Sequence, residues 1–152
     1  MNTLFDRLKK ALPFVGSRPV TEDDLHDFCE TRGVDVVFAH EIRHGLYVRT
    51  EMGTDHIFLN SMLYGHSLVY VFAHEVAHMI LHVPTRSRRA AKMQFSGDLS
   101  RRMHDEAETA AALMMYPLAK IERSLIEARS IGNPHINQLL ARRVNYLNLY
   151  NE

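Results

Sequence analysis

Cysteine is nearly missing from this chain. Cys29 stands alone among 152 residues, which excludes an internal disulfide framework and fits a reducing compartment. Charge of either sign is not in excess: lysine plus arginine and aspartate plus glutamate number 18 each, for a formal net charge of zero. That removes any global electrostatic case for binding nucleic acid or an anionic membrane. Long apolar runs are lacking too. Runs such as Leu68–Ala73 are far below the roughly 20 residues that a membrane-spanning helix needs. The first ten residues, from Met1 to Lys10, mix charges with apolar residues and hold no continuous apolar core, unlike a secretory signal. There is no internal repeat, low-complexity tract or long linker. Residues 1–152 are therefore expected to form one domain, cytoplasmic and able to bury roughly two-thirds of its unfolded surface.

What is present centres on residues 69–82, Val-Tyr-Val-Phe-Ala-His74-Glu75-Val-Ala-His78-Met-Ile-Leu-His82. Here His-Glu-x-x-His is set in an apolar stretch. On a helix His74 and His78 lie one turn apart on one face, because four residues at 3.6 per turn leave a small angular offset. Two neutral imidazoles so spaced can grip one Zn²⁺. Glu75 projects about 100° further round, too far to be a natural ligand but near enough to act on water beside a metal as general base. The five-residue pattern is weak by itself. Its setting strengthens it, since His and Glu buried in an apolar helix need polar partners. A metal with its water competes here with a plain His–Glu hydrogen-bond pair.

In chain order, Leu4, Phe5, Leu8 and Leu12 recur at helical spacing up to Pro13. Thr21 followed by Glu22, Asp23 and Asp24 is a helix start, with Leu25, Phe28 and Cys29 as its apolar stripe and Gly33 as its end. Cys29 on that stripe reads as a packing residue. The period then changes. Val34–Ala39, Gly45–Thr50 and His56–Asn60, joined by short turn-like links, predict a small three-stranded antiparallel sheet. The central helix, about Gly65 to His82, stops at Pro84. Residues Thr85–Gly97 carry Arg86, Arg88, Arg89 and Lys92 and read as a solvated surface loop. A helix from about Leu99 to Met115, capped by Ser100 or Asp98, follows. Pro117 interrupts it, Leu118, Ile121 and Leu125 continue the pattern, and Ile136–Leu147 mark a last helix. The class is α+β.

A catalytic zinc takes three protein ligands. The position ten residues after His74 is Pro84, which excludes the metzincin arrangement. His82 lies roughly 80° round from His74 and two turns away, better placed to end the helix or support a ligand than to bind. The better third donors lie in His104-Asp105-Glu106-Ala107-Glu108 and the alanines after it, whose small side chains let two helices approach. If the face bearing Ala110 and Leu113 packs inward, Glu106 is the ligand and Glu108 is solvated, with Asp105 as competitor.

Two motifs resemble the ImmA/IrrE-type metallopeptidases over roughly residues 33–117. One is the strand region leading into His74-Glu75-Val-Ala-His78-Met-Ile-Leu-His82. The other is Glu106-Ala107-x-x-x-Ala111-Ala112-x-x-x-x-Pro117. Ala110 stands where that family usually has Phe, Tyr116 where Met is common, and the arginine often found before the His-Glu helix is missing. The resemblance implies a zincin-like minimal protease domain, with one Zn²⁺ held by His74, His78 and Glu106 and with Glu75 as base. It implies an endopeptidase cutting a helix-turn-helix repressor to relieve repression. Tyr64 and His104 are possible oxyanion donors, with no choice between them. Rival readings are a non-catalytic module that sequesters a repressor, against which an intact Glu75 counts, and a deformylase, which wants a metal-binding cysteine nearer the helix than Cys29. Direct DNA binding ranks last.

Overall fold

The computed structural model describes residues 4–82, 94–95 and 99–115. The elements are α1 (Leu4–Ala11), α2 (Glu22–Thr31), β1 (Asp35–Ala39), β2 (Gly45–Arg49), β3 (Asp55–Asn60), α3 (Gly65–His82), β4 (Gln94–Phe95) and α4 (Arg101–Met115). The fold is α+β, with helices packed on one mixed sheet. The expected interruption at Pro117 and the helices after it lie outside the described residues.

Helix α3 is the axis. Its buried residues, among them Leu68, Phe72, Ala73, Val76, Ala77, Met79 and Leu81, lie all round the helix rather than along one stripe, as expected of a helix enclosed by neighbours. Those neighbours are α1, α2, α4, β2 and β3. Its C-terminal end is held from α1: Arg7 Nη2 donates to the carbonyls of Leu81 at 2.7 Å and Ile80 at 3.2 Å. These are carbonyls that a helix end leaves without intrahelical partners, and a cation there also suits the helix dipole.

Helix α2 begins as its sequence requires. Thr21 Oγ1 accepts from the Asp24 amide at 3.2 Å, and Asp24 Oδ2 accepts from the Thr21 amide at 2.9 Å, a reciprocal cap. Arg18 grips Asp24 with both terminal nitrogens, and this pairing holds the Asp24 carboxyl down to about 2. Helix α4 is capped by Ser100, whose Oγ accepts from the Met103 amide.

The sheet differs from expectation. Its order is β1-β3-β2-β4. β2 pairs antiparallel with β3 and with β4, but β1 pairs parallel with β3. The link between β2 and β3 is a true hairpin, closed by bonds between Thr50 and Thr54 and turning at Gly53 with φ of +81°. The link after β1 holds no such pair of turn residues. Instead the Asn60 side chain donates to the Ile42 carbonyl and the Asn60 amide to the His44 carbonyl. The chain thus passes over the end of β3, and β3, with Ile57 and Leu59 fully buried, takes the central place between β1 and β2. β4 falls inside the segment expected to be a loop.

The β2–β3 register is locked by one cluster. Arg49 donates from Nε and Nη2 to both oxygens of Asp55, at 2.8 and 2.9 Å, and Tyr47 Oη donates to Asp55 Oδ1 at 2.6 Å. Burial, with the Asp55 carboxylate, pushes the Tyr47 phenol up. Both charges of the pair are mostly shielded from solvent. Asp55→Ala leaves a guanidinium and a hydroxyl without their shared acceptor. It is expected to cost about 2–4 kcal/mol of stability, measured by denaturant unfolding, with the slope of the transition unchanged.

Candidate metal centre

Helix α3 presents His74 and His78 on one face, as their spacing requires, and α4 lies against that face. The face of α4 turned toward it carries His104, Glu108, Ala111 and Met115, a 4-3-4 spacing that keeps four residues on one side of a helix. Ala107, Ala110 and Ala111 are fully buried, and their size allows the approach. As a result one nitrogen from each of His74, His78 and His104 lies within 4.8 Å of the others. His78 Nε2 is 3.1 Å from His74 Nε2 and 3.1 Å from His104 Nδ1.

These separations fit a metal. Nitrogens bound tetrahedrally at 2.0–2.1 Å from one zinc stand about 3.3–3.4 Å apart. They fit hydrogen bonding less well, because a neutral imidazole has one N–H and His78 Nε2 faces two ring nitrogens at once. His78 is fully buried. Burial first, then the adjacent His74, His104 and His82, holds it down to about 3. It is therefore neutral at pH 7, the state a metal ligand requires.

Where each expected site residue falls is plain. His74 and His78 are together. Glu75 is buried beside them at 5% exposure and lines the same cavity. Glu106 stands apart from the cluster: its Oε2 is 3.0 Å from His82 Nε2, and its Oε1 accepts from Arg102 Nε at 3.2 Å. His104 is the third member of the cluster. Asp105 is exposed. Glu108 is half-buried and lines the cavity, with its Oε2 shut off from solvent. Tyr64 points outward, 83% exposed. The face argument from Ala110 and Leu113 pointed to Glu106 because it took α4 to have one inward side. In fact Ala107, Ala110, Ala111, Ala112 and Leu113 are all buried, so the alanines did not mark a unique face. The spacing from His104 to Met115 was the usable signal.

The cavity measures about 700 Å³. His74, Glu75, His104 and Glu108 form its polar end, and Leu63, Tyr70, Val71 and Met115 supply apolar wall. Gly45, the first residue of β2, sets its width. A Cβ there would meet Val71 Cγ1 at 2.7 Å and Glu75 Cγ at 3.1 Å. The missing side chain lets the strand lie against the helix at Glu75.

Two outcomes are expected. His104→Ala should reduce bound zinc from about one per chain to a small fraction of that, measured by elemental analysis after dialysis, with the helical circular dichroism retained. Gly45→Ala forces a contact on Val71, whose rotamer in a helix is stiff, and should cost about 1–3 kcal/mol. Its melting temperature should fall while its zinc content stays at the wild-type value.

No protein-family model matches this chain, and no curated protein and no solved structure matches it either.

Proposed function

We propose that this protein is a zinc-dependent endopeptidase. The observation that carries the reading is the convergence of three imidazole nitrogens on one point at the wall of a cavity that also holds the buried carboxylate of Glu75. Three neutral nitrogen donors form a set typical of catalytic zinc, which leaves a fourth position for chemistry. Zinc, when bound, supplies the Lewis acidity that polarises a peptide carbonyl and makes water more acidic. His74, His78 and His104 would hold it.

The chain's own residues do the rest. Glu75 accepts a proton from the attacking water and returns it to the departing amine. Its burial beside β2 holds the carboxylate in place and keeps bulk water from competing for it. The apolar wall made by Leu63, Tyr70, Val71 and Met115 receives a substrate side chain and excludes water. β4 pairs with β2 at Val48 and Arg49, whereas Gly45, at the other end of β2, borders the cavity. An extended peptide laid along that end would bring its carbonyl toward Glu75 by strand addition. With the His-Glu helix packed on a small sheet, the architecture agrees with a zincin-like domain. The resemblance to ImmA/IrrE-type peptidases makes a helix-turn-helix repressor the proposed substrate, cut to relieve repression.

The test is co-expression with the repressor encoded nearest to this gene, comparing wild type with Glu75→Gln. Wild type should cleave the repressor, and Glu75→Gln should cleave it at least about 100-fold more slowly while keeping its zinc. A repressor that stays intact yet co-purifies with both forms would replace the peptidase reading with sequestration.

A further inference from the structure

Beyond the three-histidine cluster, and resting on the reading of it as a metal centre, we propose that His82 and Glu106 form an outer relay. This relay sets which nitrogen of His78 faces the metal, so Glu106 acts as a positioning residue and not as a ligand.

The contacts run inward from the carboxylate. Glu106 is half-buried between two helices; Arg102 Nε donates to its Oε1 at 3.2 Å from the solvent side. Its Oε2 lies 3.0 Å from His82 Nε2. An ionised carboxylate only accepts, so the hydrogen in this contact sits on His82 Nε2. In the relay His82 is a neutral ring, which leaves its Nδ1 bare. That atom is 3.0 Å from His78 Nδ1, which must supply the hydrogen. His78 has no second N–H in its neutral form, so its Nε2 is a bare lone pair. Nε2 is also the atom that lies 3.1 Å from the nitrogens of both His74 and His104.

With that ring neutral, each contact sets the next, and the chain of three ends with an electron pair aimed at the point the other two histidines share. Metal-binding imidazoles commonly give their second N–H to a carboxylate directly. Here a whole imidazole ring is interposed. The spacing of His74, His78 and His82, each four residues from the last, makes that possible. It stacks His82 one turn beyond His78, with ring centroids 5.1 Å apart, and Glu106 reaches across from α4 to close the series. His82 is enclosed, with its side chain only 5% exposed, so water does not compete for either of its nitrogens. The carbonyls of the same helical turn are clamped by Arg7, which fixes the ring's position along α3.

The experiment measures zinc affinity by competition with a chromophoric chelator, and the visible spectrum of the Co²⁺-substituted protein, for wild type, Glu106→Ala, Glu106→Gln, His82→Ala and the double variant His82→Ala/Glu106→Ala. The relay predicts that Glu106→Ala and His82→Ala each weaken zinc binding about 10–100-fold. Because the two act in series, the double variant should be no weaker than His82→Ala alone. Glu106→Gln, which keeps an acceptor oxygen, should retain most of the affinity. The Co²⁺ bands should keep their positions throughout, since no ligand is lost. Multiplying losses, an indifferent Glu106→Ala, or Co²⁺ bands displaced in Glu106→Ala would each overturn the relay, the last by making Glu106 a ligand. A wild-type protein that takes up neither metal would sink the metal centre itself, an outcome distinct from a metal-binding wild type with an indifferent Glu106→Ala.

Discussion

A helix buried along most of its length carries His74, Glu75 and His78, and the rest of the molecule answers the demand this creates. Buried imidazoles and a buried carboxylate are costly unless their polar atoms are engaged. Neighbours from α1, α2, α4, β2 and β3 bury Glu75 and His78, so partners must come from those neighbours. α4 brings a third imidazole and two carboxylates. β2 brings a glycine that lets its backbone lie against Glu75. α1 brings Arg7 to the helix end. These are separate elements, yet each touches α3 at or near its polar residues, and the apolar packing around them maintains the geometry.

The closeness of α3 and α4 is the most sensitive term. Interhelical distance follows the size of the side chains at the contact, and here Ala107, Ala110 and Ala111 of α4 are fully buried, as are Ala73 and Ala77 of α3. Larger residues at those positions would move His104 away from His78 by more than a coordination bond tolerates. The small residues therefore act on the chemistry through distance, although they carry no polar atom.

Much of the framework was legible because it depends on local rules. Thr21 with Asp24, Ser100 at the start of α4 and the pairing of His74 with His78 all follow from spacing and capping chemistry within a few residues. The α+β class followed from the change of period after Gly33. The mixed sheet was not legible. Nothing in residues 40–44 signals that the chain will pass over the end of β3, and the deciding bonds come from Asn60, sixteen or more residues away. The third histidine was hidden for a related reason. Which side of an alanine-rich helix faces inward depends on what packs there, and α4 is covered on more than one side. His104, Glu106 and Glu108 were all visible as donors; their partners were not.

In the proposed metal centre three imidazoles, and no carboxylate, make the protein's share. Zinc-edge X-ray absorption on the purified protein tests it most directly, because the outer scattering of imidazole rings can be counted. The account predicts three imidazoles at about 2.0–2.1 Å with one further light atom. Two imidazoles with a protein carboxylate, or a protein that retains no zinc, would contradict it.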